Sequence, residues 1–566
     1  MNKLSQQISL TMVFRWWAFL MCCVLSGCAT THQPYIWTSP AEVRTIIETT
    51  PKALPQVRET IAPEEWEVAT DQTVTGHAPK NPKSPAELAL VSLFKGDRSR
   101  VLSYTQTCAA REWWRAYTHS GSKWFAPRVD RFVSNRCGAT GVGGRYAQLI
   151  RGGKSPFQPG RIEPSIKAWM EEILESQKDA PVLEFGILEA EWAGELVVVI
   201  VVQAPRILVE PRLMNVGGRE VEFVGRAVSG SVERGFAVVT YGDHMRWCRL
   251  DPSTKPPQFK VICPLNPEDP YAYIDLYLAG KGENLGSLSA ELMVSPSGEP
   301  PKVYKPSKVE EVIRDHEFQE AMSWEAQFVD GLNAVRRSAG LHPVVLAREQ
   351  SKTASGLLPA MRSDDVSLSN RAYLGLKAGW DLGDARIVSF GTSTSAIFGN
   401  DVQEHLSEHL NHGLSRMRAL SPDTDVVALG VGQSEGSTMV TFAVYGVIED
   451  ETIQARANKV FEAINAQRKE LGRRPLSLRL DAQVKALDLI KKFDVGELDE
   501  PDVMEGICDF DGADECNEYW VESLNYWSMD SDILDEDAKQ VAIGVSGVPL
   551  PNTPHWTYIL WIVTFD

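Results

Sequence analysis

Beyond residue 28 the chain has no apolar run long enough to cross a bilayer; GELVVVIVVQAP at 194–205 is strand-length and rich in β-branched residues. It also lacks basic excess. A formal charge of −18 argues against nucleic acid or an anionic membrane surface as the main partner, since both reward basic patches. Cysteine is sparse, nine in 566 residues, and none forms a Cys-x-x-Cys, so zinc-ribbon spacing is absent. GATGVGGR at 138–145 has no following Lys-Ser or Lys-Thr and is not a phosphate loop. The histidines number ten, and none falls between residues 450 and 554.

What is present begins with an address. Lys3 and Arg15 precede a short apolar run that ends in Leu25-Ser26-Gly27-Cys28. That tetrad resembles a bacterial lipobox, which implies a signal peptide over 1–27 and lipid on Cys28. Ala29 and Thr30 supply no aspartate retention signal, which favours the outer membrane of a two-membrane cell. A flexible tether is expected over 28–84. With Cys22, Cys23 and Cys28 set aside, six cysteines remain in three sequence-local pairs: Cys108 with Cys137, Cys248 with Cys263, and Cys508 with Cys516. An even count in local pairs suits an oxidising compartment and three disulfides.

The length and a hydrophobic content of 43% provide for several domains. Internal repetition organises them. LNAVRRSAGLHPV (332–344) and INAQRKELGRRPL (464–476) match without a gap, each reading as the end of an amphipathic helix followed by Gly and Pro. Each copy closes with a strand pair, at 426–446 and at 541–566, and LEFGILEAEWAGELVVVIVVQ (183–203) closes an earlier unit in the same way. Between 206 and 297 short strands recur with turn residues between them, the texture of an immunoglobulin-like β-sandwich in which Cys248 and Cys263 bridge neighbouring strands. The fold class expected is therefore α+β multidomain: three α-β-α sandwich units over 85–205, 315–448 and 451–566, with the β-sandwich between the first and second and a linker over 298–314.

The two Asn-Ala-x-Arg helix ends and the Gly-x-Gly strand at 430–432 resemble the CAP superfamily, named for cysteine-rich secretory proteins, antigen 5 and pathogenesis-related proteins. The resemblance implies a central groove in which two histidines and two acidic residues can hold a divalent metal. Matched position by position, the first histidine falls on Leu357 in the middle unit and on Leu489 in the last, and the second falls on Ser415. The acidic position falls near Arg386 or Ile387, and the first unit holds only His119. Leucine has no lone pair, so these positions imply loss of the metal set.

One stretch stands against that loss. EHLSEHLNH (404–412) places His405, His409 and His412 at i, i+4 and i+7, on one stripe of a helix whose apolar face is Val402, Leu406, Leu410, Leu414 and Met417. A displaced site built on His409 and His412 is one reading. The other is a polar border beside the apolar face. HEFQE (316–320) carries Glu320 where a metalloprotease needs its second histidine. CDFDGADEC (508–516) clusters acids without calcium-loop spacing and reads as a solvated loop.

The function expected is a membrane-tethered, extracytoplasmic binding or scaffold protein without cofactor, whose partner is an envelope or extracellular protein or a hydrophobic ligand. A metal-dependent hydrolase of CAP type and a carrier of lipid or another small hydrophobe are the alternatives.

Overall fold

The structure, a computed structural model, describes residues 37–565 apart from 53–59, 70–79 and shorter stretches that include 121–123, 141–145, 153–156, 210–213, 281–286, 297–300 and 526–532. The lipobox with Cys28 and most of the glycine-rich run at 138–145 lie outside the described residues. It is a mixed α/β protein with three four-stranded sheets of one common order. In each, a short edge strand runs parallel to the first strand of a long hairpin, and a fourth strand flanks the second hairpin strand. The hairpins are Leu183–Trp192 with Glu195–Gln203, Val426–Ser434 with Ser437–Val447, and Gln540–Pro549 with Trp556–Phe565. The parallel partners pair Arg100 with Leu183, Val345 with Val426, and Ser477 with Gln540.

Helices cover both faces of each sheet, because alternate hairpin residues point opposite ways. In the middle sheet Val440, Phe442 and Val444 pack with Phe328, Leu332, Leu406 and Leu410, whereas Ala443 and Tyr445 pack on the other face with Ala354, Leu357 and Leu376. The last sheet repeats this, with Leu560 and Ile562 against Val460 and Ile464, and Ile559 and Trp561 against Ala486 and Ile490.

The repeated sequence acquires its physical reason here. Asn333 exchanges two hydrogen bonds with the backbone of Val344, at 3.0 and 2.8 Å, and Asn465 does the same with Leu476, at 3.1 and 2.7 Å. Arg336 is fully buried and donates to the carbonyls of His342, Ala419, Ser421 and Thr424. Arg468, equally buried, donates to those of Arg474, Ile533 and Ala538. These residues tie a helix end to the loop that precedes the hairpin. A third brace is a close approach at Gly186, Gly430 and Gly544, where an added Cβ would lie 2.0 Å from the Gln106 backbone, 2.5 Å from that of Ala354 and 2.9 Å from the Ile490 side chain.

The described residues of 206–297 form one eight-stranded sheet rather than two, seven strands on one hydrogen-bonded path and Met214–Val216 pairing off it, because Arg249 and Leu250 pair with Ile262 and Val261. Phe223 and Val261 from one half and Ile274, Leu276 and Ala290 from the other share one core, so the path folds over itself. Cys248–Cys263 links adjacent strands of it, and Cys108–Cys137 and Cys508–Cys516 are bonded as well.

Two segments expected to be connectors are built into the body. Within 28–84, the helix Pro40–Thr49 starts with a Ser39–Glu42 capping box and buries Val43 and Ile46 in the middle unit, and Trp66 is buried with its indole N–H on Glu112. Within 298–314, Val303–Tyr304 pairs with Trp66–Glu67, and the helix Lys308–Asp315 buries Val309 and Ile313. Short amphipathic turns carried enough apolar surface to dock, which composition alone does not reveal. Among the described residues no helix is long and apolar enough to cross a membrane.

Candidate functional site

The histidine stretch divides. Val402–Asn411 is one helix, Gly413–Ala419 is the next, and His412 between them is extended, at φ −84° and ψ 127°. Two groups from elsewhere in the chain and one from the next helix take the backbone that would have continued this one. Arg131, from the helix Pro127–Arg136 of the first unit, donates to the Asn411 carbonyl, Arg416 donates to that of Leu410 at 2.6 Å, and Asp275 of the β-domain accepts from the Gly413 N–H at 2.9 Å. Position 413 needs glycine for space, since a Cβ would lie 2.4 Å from Asp275 Oδ2. The three histidines therefore do not form one helical stripe.

Nor do they border the apolar face. His405 and His409 are 0% and 1% exposed, inside the layer between helix and sheet. His409 Nδ1 meets Ser393 Oγ at 2.6 Å and its Nε2 meets Ser395 Oγ at 3.0 Å, while the same hydroxyl lies 3.0 Å from His405 Nδ1. Phe328 and Phe442 stand against the His409 ring, and Trp324 meets that of His405 edge-on. Ser393 and Ser395 are on the strand Ile387–Phe398, whose alternation aims both at the histidine helix. Burial lowers the His405 imidazole to about 4, and it holds that of His409 well below the ordinary value. These are neutral, hydrogen-bonded core histidines, and both nitrogens of His409 are engaged.

His412 faces elsewhere. Its Nε2 is 3.2 Å from Glu408 Oε1. Burial works to lower it, but bonding and charge from Glu408, with charge from Glu291, outweigh that and raise it above the ordinary histidine value. His409 and His412 thus bond different neighbours, and among the described residues no group of three or more His, Cys, Asp or Glu side chains is placed to share a metal ion.

The positions matched to the family groove are also dispersed. Leu357 is fully buried and packs in one cluster with Val43 and Ile46 of the N-terminal helix, so that helix occupies the space an open apolar groove would need. Ser415 is buried on Gly413–Ala419, and Leu489 packs against Gly506 in the last unit's core. His316 ends a helix and bonds Asp330 Oδ2 at 2.9 Å. Asp509, Asp511, Asp514 and Glu515 are exposed around the Cys508–Cys516 bond. The chain also contains a Gly-x-Ser-x-Gly run at 432–436; it lies where two antiparallel strands meet in a hairpin, not at the strand-to-helix elbow that presents a serine nucleophile.

Sequence reasoning missed the residues that join the units. Arg128 holds Glu404 through two bonds, at 2.5 and 2.9 Å, and Glu310 at 2.8 Å. Arg131 pairs with Asp275, lies 2.8 Å from Glu291, and stacks 4.0 Å above the Tyr273 ring. Between the second and third units Asp423 accepts from Ser523 and from Asn525, the latter at 2.6 Å. PRVDRFVSNR was the available signal: it opens with Pro at N1 and sets Arg beside Val129, Phe132 and Val133.

The geometry shows a mixed α/β protein with several sheets, braced cores and three disulfides. No family model matches the chain, and no curated protein does. Among solved structures it is similar to a cysteine-rich secretory protein from Staphylococcus aureus subsp. aureus Mu50, at 12% identity over 42% of this chain and 85% of that one, with a TM-score of 0.17. It is also similar to an extracellular protein containing an SCP domain from Bacillus anthracis str. Ames, at 13% identity over 42% and 86%, with a TM-score of 0.16. Likenesses at these scores carry no argument about fold or function.

Proposed function

We propose that this chain is a lipid-anchored, extracytoplasmic binding protein whose three α-β-α units are CAP-like in plan and serve as a rigid, non-catalytic scaffold. The observation that carries the reading is the engagement of His405 and His409 with Ser393 and Ser395 inside a buried layer. A metal would have to displace those hydroxyls from imidazoles packed against the rings of Phe328, Phe442 and Trp324. Leucine at 357 and 489 is consistent with that loss. Anchoring at Cys28, with the outer membrane favoured, and an envelope or extracellular partner complete the reading.

The test is elemental analysis of the purified chain, with thermal denaturation in the presence of zinc, copper or nickel. No stoichiometric metal and an unchanged Tm are expected, because a ligand at a hundred times its Kd would add about 2.7 kcal/mol. One metal per chain, lost in a His409→Ala/His412→Ala variant, would instead establish the hydrolase alternative. For the anchor, Cys28→Ser should abolish fatty-acid labelling and membrane retention; retention through a high-salt wash would exclude it.

A further inference from the structure

Where the β-domain, the second unit and the third meet, a cleft of about 430 Å³ opens to solvent, within the range of small-ligand sites. Trp247 of the β-domain and Trp520 of the third unit both line it, 39% and 48% exposed. Large aromatic rings exposed in a concave site are where ligands stack. Neither ring is loosely held. Phe236 meets Trp247 edge-on at 5.6 Å, and the Trp520 indole N–H donates to Glu518 Oε1 at 2.9 Å. The other oxygen of Glu518 accepts from the buried Trp561, also at 2.9 Å, which fixes the carboxylate.

The polar groups of the cleft narrow the ligand class. Arg418 Nη2 lies 3.3 Å from Glu522 Oε2, so one edge offers a donor fork beside an acceptor pair. Gly391 leaves room for the arginine stem, where a Cβ would lie 2.4 Å from Arg418 Cγ. Neighbouring hydroxyls on a sugar ring both donate and accept, which such a pair satisfies. Two glutamates against one arginine, in a chain of net charge −18, disfavour an anionic ligand. The Trp520 indole N–H is committed to Glu518, which removes one donor that the carbonyls of a proline-rich peptide would use. Its ring face is what remains, and pyranose C–H bonds, which carry partial positive charge, settle on such faces.

We infer that this three-unit cleft binds a neutral glycan, its sugar rings stacked on Trp520 and Trp247 and its hydroxyls held by Arg418, Glu522 and Glu518. The inference rests on the binding-protein reading and supplies its ligand class. The full chain would be titrated with cello-oligosaccharides and chito-oligosaccharides, and in parallel with a proline-rich peptide, by calorimetry and tryptophan fluorescence. Saturable binding of a saccharide with a fluorescence change is expected, weakened about tenfold or more by Trp520→Ala and by Trp247→Ala, the loss of one stacking contact each. Both sites are exposed, and unchanged melting of the variants would certify their folds. The inference is overturned if neither saccharide binds, if both variants bind as the parent does, or if the peptide binds in their place. Shortening of the bound saccharide would overturn the non-catalytic reading and leave the ligand class standing, whereas absence of binding would do the reverse.

Discussion

The second and third units share their braces and differ in what they hang between them. Asn333 and Asn465 clamp equivalent backbones, Arg336 and Arg468 gather loop carbonyls, and Gly430 and Gly544 let a helix press on the sheet. Yet between the fourth strand and the hairpin, the second unit inserts the helices Val402–Asn411 and Gly413–Ala419, the first with buried histidines. The third unit leaves the edge strand Glu515–Val521 to line a cleft with Trp520. Repetition marks the parts that hold a sheet in order; the chemistry that could distinguish one unit from another sits where the copies diverge.

If the arginine braces are equivalent, removing either should cost about the same. Arg336→Ala and Arg468→Ala each strand several buried carbonyls, and each should destabilise by about 3–5 kcal/mol in denaturant unfolding of its unit. A loss under about 1 kcal/mol at Arg468 would break the equivalence, since one unpaired carbonyl alone costs that much.

Histidine burial makes both units sensitive to pH, since buried His555 of the third unit is held down to about 4 as His405 of the second is. The His405 imidazole is held down to about 4 by burial, against an ordinary 6.5. As pH falls below 6.5 the unfolded chain takes up a proton that the folded chain refuses, so stability is complete above 6.5 and is lost down to about 4. The full loss is roughly 3 kcal/mol for this group, at 1.36 kcal/mol per pKa unit. His412, raised by its glutamates, runs the other way and stabilises below its ordinary pKa. Hydrogen exchange of peptides covering 402–411 should accelerate, relative to the intrinsic rate, between pH 7 and pH 5. His405→Asn should reduce that response, with His409 supplying the remainder; a response unchanged by the substitution would refute it.

The glycine contacts sharpen the same comparison. At Gly430 an added methyl meets the Ala354 backbone at 2.5 Å, whereas at Gly544 it meets the flexible Ile490 side chain at 2.9 Å. Overpacking costs about 1–3 kcal/mol. Gly430→Ala should fall at the upper end of that range and Gly544→Ala at the lower, read as shifts in urea midpoint. The reverse order would mean that the helix Arg348–Met361 yields more readily than a side chain does.

The repeat was legible as a helix end because LNAVRRSAGLHPV and INAQRKELGRRPL carry each asparagine clamp and its partner within thirteen residues. Arg336 and Arg468 also reach carbonyls 65 to 88 residues away, which no local pattern registers. The disulfides, being local, were legible as well. The histidine helix was misread because its break is imposed from outside, by Arg131 and Asp275, which lie 280 and 138 residues from their partners Asn411 and Gly413. Helical periodicity cannot register a bond from another unit. The cleft was invisible for a like reason, since Trp247 and Trp520 belong to different units and appear singly in sequence.

The smallest effect expected is in the acidic loop that only the third unit possesses. Asp511 and Asp514 are exposed, and Gly512 turns the chain between them at φ +77°. Carboxylates that face water gain little from neighbours and lose little when neutralised, so Asp511→Asn and Asp514→Asn should each change stability by less than about 0.5 kcal/mol. Calcium held there would behave otherwise: it would draw the carboxylates together, raise the Tm in proportion to its concentration, and make both substitutions costly. Thermal melts of the parent and both variants with and without millimolar calcium therefore separate a solvated loop from an ion site. Superimposable curves are expected, since the Cys508–Cys516 bond already closes the loop without an ion.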